Sequence, residues 1–153
     1  MSTLTHDAVA AQPRKVDRLL AHYAQSHRNP RNELIHFVAI PVNMLSLLGL
    51  LFALHPWVAY GFVAASMVYY ARLSVAFLAA MTVLSVVGLV LVHAMGSLVL
   101  PVSAAIFVAA WIAQFVGHRI EGRKPSFFED LQYLWVGPIF VLSHLFNRLG
   151  WRW

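Results

Sequence analysis

LIHFVAIPVNMLSLLGLLFAL, residues 34–54, runs for 21 positions without an Asp, Glu, Lys or Arg. At about 1.5 Å per helical residue it reaches roughly 30 Å, the thickness of a bilayer's hydrocarbon core. Backbone polar groups in lipid must be satisfied within the segment, so a helix is the conformation expected. Pro41 and Asn43 interrupt the run. A proline there frees a backbone carbonyl, and a kink is expected. Three more apolar runs follow, over 57–71, 73–95 and 98–116. The second is short for a crossing unless the bilayer thins or flanking side chains snorkel. Pro101 lies near the start of the fourth, where it is tolerated.

Composition agrees. The chain has 153 residues, 60% hydrophobic and 11% charged. Soluble domains are nearer about 25% charged, and one this small has too little interior to hide so much apolar surface. Lipid must cover it. The net charge of +5 reflects 11 basic and 6 acidic residues. No basic run or soluble module suggests nucleic-acid binding. The absence of cysteine excludes disulfides and thiolate metal sites.

The basic residues set a topology. Arg14, Lys15, Arg18, Arg28 and Arg31 precede the first run, Arg72 separates the second from the third, and Arg119, Arg123 and Lys124 follow the fourth. The connections at 55–56 and 94–97 have neither Lys nor Arg. The positive-inside rule then puts the N-terminus, Arg72 and residues 117–130 in the cytoplasm. Residues 1–12 read as a disordered tail and 13–153 as a single membrane domain. No secretory signal is visible, so the N-terminus is expected to be retained. Residues 13–26 read as a short amphipathic helix, with Val16, Leu19, Leu20 and Tyr23 at helical spacing. A last apolar stretch, 131–147, is broken by Gly137 and Pro138 and followed by Arg148 and Arg152. A re-entrant or interfacial segment suits those charges better than a fifth crossing. The fold class is therefore all-α: a polytopic helical bundle of about four transmembrane helices plus that C-terminal segment.

Eight histidines are unusual in so apolar a chain. His36 opens the first crossing and His118 closes the fourth, so four crossings return both to one face. His27 lies just before the first crossing, and His144 joins this face if the last stretch is re-entrant. Gln114 and Glu121 flank His118 by about one helical turn, and Asn32 lies one turn before His36. Ionisable groups at membrane depth are costly and point to function. Converging neutral imidazoles suit iron, zinc or copper, and a site lacking thiolates favours iron over structural zinc. A lone interfacial histidine is more often a packing residue; four at one face with a Glu and a Gln bring the two readings level. His55 and His93 sit at the opposite ends of the crossings and His6 in the tail, while His22 is a reserve fifth imidazole. The five tryptophans read mostly as interfacial anchors.

Two blocks carry a resemblance. YAQSHRNPRNELIHFVAIP (Tyr23–Pro41) has the pattern Tyr-x3-His-x4-Asn-x3-His-x4-Pro. AQFVGHRIEGRKPSFFEDLQYLWVGPIF (Ala113–Phe140) contains Gln-Phe-x-Gly-His-x2-Glu, then Lys-Pro, then Gly-Pro-x-Phe. Together they resemble the membrane 2-hydroxy fatty acid dioxygenases of fungi and their bacterial relatives. The likeness reaches from about Tyr23 to Gly150, with the middle matching in hydropathy alone. It implies Fe(II)-dependent alpha-oxidation, in which a 2-hydroxy fatty acid and O2 give a fatty acid one carbon shorter and a one-carbon product. In fungi the family acts in phytosphingosine breakdown at the endoplasmic reticulum. The implied membrane is a bacterial inner membrane or the endoplasmic reticulum, with the metal facing the cytoplasm. His27, His36 and His118 match the pattern's histidines, while Gln114, Gly117, Glu121 and Pro125 match the second block. His144 stands where the pattern suggests a Glu. The expected metal ligands are His27, His36, His118 and His144. His36, His118 and Glu121 are the expected catalytic residues, and Asn32, Gln114 and Glu121 are expected to orient imidazoles by hydrogen bonds. Arg119, Arg123 or Lys124 could pair with a substrate carboxylate, although topology alone accounts for them.

Two other readings compete. One is a different metal-dependent lipid hydroxylase or desaturase, although the HxxxH and HxxHH patterns of two-iron enzymes are absent. The other is a non-enzymatic transporter or scaffold, which metal content would separate from both enzymes. The topology has a direct check. Cysteines placed at Ser26 and Ser126 should be labelled from the same side of the membrane; labelling from opposite sides would break the four-crossing scheme.

Overall fold

A computed structural model describes residues 12–122 and 133–153. The described residues form six α-helices and no strand: α1 Lys15–Ala24, α2 Pro30–Leu54, α3 Pro56–Ala71, α4 Val75–Ala94, α5 Val99–Glu121 and α6 Val136–Arg148. A short 3-10 turn, Gly96–Leu98, leads into α5. The protein is an all-α membrane bundle. The tail expected over 1–12 lies, but for Gln12, outside the described residues, as do Arg123, Lys124, Pro125 and the start of the 131–147 stretch.

Three helices are long and apolar enough to cross a membrane: α2, α4 and the unit Gly96–Glu121. The expected second crossing is α3, which has 16 residues. That is about 24 Å of helix, short of the roughly 30 Å core. It still returns through the bundle: Ala59 near its start packs with Leu48, and Tyr70 near its end joins the cluster containing Ile40. The 13 residues of α6 make about 20 Å, too little to cross. Large side chains on α4 such as Val83 and Val90 are more than three-fifths exposed, as a lipid-facing surface requires.

Local chemistry sets the helix ends. Asn29 caps α2 by accepting a hydrogen bond from the Arg31 amide, and Pro30 occupies the first turn, where its missing N–H is harmless. Pro41 lies inside α2, as read from the sequence. Gly122 ends α5 in the left-handed conformation, φ 76°. In α1, Val16, Leu20 and Tyr23 are buried, on the stripe the sequence indicated. Hydrogen bonds from Arg14 hold the Asp17 carboxyl below its ordinary range. Arg14 also donates to the carbonyl of Trp153, which joins α1 to the end of the chain. Trp153 packs beside Phe77 and Phe146, and those two rings stack at 5.5 Å. The last segment is thereby held against α4.

The closest helix pair is α2 with α5, which run antiparallel. Lipid tails are as apolar as the side chains, so helices in a bilayer associate through close packing, which small residues permit. Gly49 of α2 faces Ser103 of α5, whose Cβ lies 3.0 Å from where a Cβ on residue 49 would stand. At the other end, Gly117 of α5 lies against Asn32 and His36. Between α2, α3, α4 and α6 the bundle leaves an apolar cavity of about 280 Å³.

A branched side chain at Gly49 should separate α2 from α5. Gly49→Val is expected to destabilise the protein by about 1–3 kcal/mol, the usual range for overpacking. Gly61→Val is the control, since nothing lies within 4 Å of an added Cβ there. Unfolding in detergent micelles should separate the two variants; identical midpoints would show that the contact is not needed.

Candidate metal centre

His27 lies between α1 and α2, His36 nearly two turns inside α2, and His118 in the last turn of α5. All three are buried, His36 to 1% exposure. One ring nitrogen from each lies within 4.8 Å of the others, close enough to hold a metal ion. Ring centroids are 4.3 Å apart for His27 and His36, 4.9 Å for His36 and His118, and 5.7 Å for His27 and His118.

Hydrogen bonds select the tautomers. The Nδ1 of His27 lies 3.0 Å from the Tyr23 carbonyl, and that of His36 lies 3.0 Å from the Asn32 carbonyl. A carbonyl only accepts, so each Nδ1 carries the proton and donates it. This leaves Nε2 with the lone pair, the state a metal requires. Both acceptors are four positions earlier in the chain. Tyr23 also stacks on His27 at 4.3 Å, a role for which the Tyr-x3-His spacing is the available sequence signal.

Glu121 holds this arrangement from outside the rings. Its carboxylate accepts hydrogen bonds from the Arg28 and Asn29 amides at 2.9 Å each and from the Asn32 side-chain amide at 3.0 Å. A carboxylate at the N-terminus of α2 is also favourably placed against the helix dipole. Glu121 thus fastens the end of α5 to the segment joining His27 to His36. The sequence reading had it bonding imidazoles; its described hydrogen bonds go to backbone and to Asn32. Gly117 allows the same approach from α5, because a Cβ there would meet the His36 ring at 3.2 and 3.3 Å and drive into the Asn32 Oδ1.

Gln114, one turn from His118, is buried. With Ile40, Asn43, Trp111 and Tyr133 it lines a cavity of about 40 Å³ beneath the histidines. Gln114 Nε2 and Asn43 Oδ1 have no hydrogen-bond partner among the described residues. Asn43 stood out in the sequence only as a polar break in the first apolar run.

His144 stands outside the cluster of three. Its Nδ1 donates to the Phe140 carbonyl at 3.0 Å, and its Nε2 lies 3.1 Å from a Glu33 carboxylate oxygen. The Phe140 ring is 4.6 Å from His144 and 5.8 Å from His27. The Glu33 pairing had no sequence signal, since α2 and α6 are distant in the chain. His22 is exposed and bonds the Tyr133 hydroxyl at 2.6 Å. His55 caps α3, and His93 packs on Phe52. Arg119 is exposed.

Removing the Glu121 carboxylate should loosen the joint before α2. In Glu121→Ala the Arg28 and Asn29 amides lose their acceptor. Hydrogen bonds to charged groups contribute about 1.5–3 kcal/mol when buried, and partial exposure lowers this to about 1 kcal/mol. Hydrogen exchange at those amides should therefore accelerate about fivefold, with amides in the middle of α4 unchanged. Unchanged protection at Arg28 and Asn29 would remove the fastening role.

Comparisons with known proteins agree on one family. The family described as 2-hydroxy-palmitic acid dioxygenase Mpo1-like matches residues 14–149, from the start of α1 to the end of α6. The 2-hydroxy-palmitic acid dioxygenase MPO1 of Saccharomyces cerevisiae is 28% identical over 141 residues, covering 86% of this chain and 79% of the yeast protein. No solved structure matches. With the matched region spanning every described helix and all three clustered histidines, the chain belongs to the Mpo1-like family.

Proposed function

We propose that this protein is an Fe(II)-dependent membrane dioxygenase that shortens 2-hydroxy fatty acids by one carbon, with His27, His36 and His118 as the metal ligands. The observation that carries the reading is the buried trio of imidazoles, in a chain of a family described by that activity. The donor set fits: it is all nitrogen, and the Nδ1 bonds of His27 and His36 leave lone pairs on Nε2. Bound there, Fe(II) would supply open positions for the two oxygens of a hydroxy acid and for O2. The protein's own part is to orient the imidazoles. Tyr23 and Asn32 do so through their carbonyls, and Glu121 by fastening the chain that carries them. We propose Glu121 as a positioning residue, along with Asn32. Gln114 faces the space beside the site, where it would meet substrate. His144, expected as a fourth ligand, is proposed to act with Glu33 at the edge of the site.

The overall reaction is balanced without a further reductant. A 2-hydroxy acid and O2 give the acid one carbon shorter, CO2 and water, with all four electrons coming from the substrate. A hydroxylase or desaturase needs two external electrons, and this difference separates the readings experimentally. The charge distribution supports a site facing the cytoplasm, with residues 13–153 as one membrane domain.

The purified protein, loaded with Fe(II) and given O2 and 2-hydroxypalmitate, should release the acid one carbon shorter without a reductant, as read by mass spectrometry. His118→Ala should lose both iron and turnover. Glu121→Gln should retain iron and lose about 10–100-fold in rate, the range for residues that support ligands. Iron-loaded protein that consumes no O2 with any long-chain 2-hydroxy acid would sink the proposal. Turnover that depends on an added reductant would favour the hydroxylase reading.

A further inference from the structure

The apolar cavity is walled by α2, α3, α4 and α6, and two of its polar side chains, Ser66 and Tyr70, have partners. The Ser66 hydroxyl donates to the Phe62 carbonyl and accepts from Trp135 Nε1 at 2.9 Å. The Tyr70 hydroxyl donates to the Trp135 carbonyl at 3.1 Å. An apolar cavity does not retain water, and packed interiors do not leave about 280 Å³ empty without an occupant of matching chemistry. On α4 the cavity reaches Leu84, Val87 and Leu91, each about half exposed on the lipid side, so an occupant can enter sideways from the bilayer.

The cavity is also continuous in position with the candidate metal centre. Ile40, one turn below His36, lines the small chamber with Asn43 and Gln114. Met44, one further turn along α2, lines both the chamber and the large cavity. Leu48 is the lining residue of α2 farthest from His36, and Gly88 faces it: an added Cβ on residue 88 would meet Leu48 at 3.1 Å and Leu45 at 3.6 Å. From His36 to Leu48 the helix rises about 18 Å. Half of a roughly 30 Å hydrocarbon core is about 15 Å, the depth one acyl chain occupies. The carboxamides of Asn43 and Gln114, an acceptor and a donor among apolar neighbours, mark the level at which a polar head gives way to a tail.

We propose that this cavity holds the alkyl tail of the 2-hydroxy fatty acid, that Met44 stands at its entrance from the metal centre, and that Leu48 and Gly88 set the length of chain accepted. The inference rests on the proposed dioxygenase reading for the identity of the head group. The route itself follows from the shape and polarity of the interior. A tail coming from the bilayer already lies in an apolar medium, so the cavity selects among chain lengths by fit rather than by removal from water. Filling the end at Leu48 and Gly88 should therefore shift preference towards shorter chains, and enlarging it towards longer ones.

The test uses the intact protein in lipid nanodiscs without metal or O2, so that nothing depends on turnover. The probe is a 2-hydroxypalmitate analogue with a photoreactive diazirine at the terminal carbon. Cross-links should map to the peptides containing Leu48 and Gly88 and disappear with excess 2-hydroxypalmitate. In Gly88→Leu the chain length bound most tightly should shift to shorter acids, while in Leu48→Ala it should shift to longer ones. Val83→Leu, on the lipid face, should bind as the parent does. Labelling confined to the lipid face, or not displaced by 2-hydroxypalmitate, overturns the inference, as does an unchanged chain-length preference in both cavity variants. Specific labelling without any later turnover leaves this site standing and removes the dioxygenase reading; turnover with labelling elsewhere does the reverse.

Discussion

At Gly117 there is no side chain between the backbone of α5 and the groups of α2 that face it. That absence is the constraint on which the site depends. His36 and His118 lie on helices separated by two others in the chain, and they meet only because α5 approaches α2 this closely. Glu121 then secures the contact one turn later, where three donors from the entry to α2 converge on one carboxylate. A second close contact, Gly49 with Ser103, sits at the opposite end of the same pair. The two helices are thus held at both ends, and neither can rotate or slide without moving an imidazole.

This arrangement matches the physical demands of a membrane interior. Burying a polar group without a partner is costly, and burying a charge is far more so. The chain answers by committing the Nδ1 atoms of His27 and His36 to backbone carbonyls. The charge stays at the rim, on Glu121 and on the exposed Arg28, Arg31 and Arg119. Apolar side chains contribute differently. Facing lipid, they gain little by turning inward, so the interior can carry a cavity and a polar chamber while valines cover the outside.

Much of this was legible in the sequence, for physical reasons. A helix crosses a bilayer of fixed thickness, and each pass reverses the side. Counting apolar runs therefore brought His36 and His118 to one face without any knowledge of packing. The spacing of Asn32 before His36 and of Tyr23 before His27 likewise follows from helical geometry. What escaped was set by contacts between distant segments. The partners of Glu121 depend on how α5 docks on the joint before α2, and the pairing of His144 with Glu33 depends on where α6 settles. The position of Gln114 one turn from His118 is likewise visible in the sequence, but its place in the wall of the small chamber follows from packing that periodicity does not encode. The length of α3 was visible as a short run, but its return through the bundle was inferred from charge parity alone.

His55 is both the end of α2 and the beginning of α3. Its backbone is extended, its ring accepts a hydrogen bond from the Trp57 amide, and Pro56 already starts the next helix. No linker exists that would let one helix enter the bilayer while the other waits outside. The two must insert as one helical hairpin, their apolar content counted jointly. The 25 residues of α2 thereby carry in the 16 of α3, which would be marginal alone. Any insertion of α3 is accordingly tied to that of α2, through a turn whose tip is a single histidine.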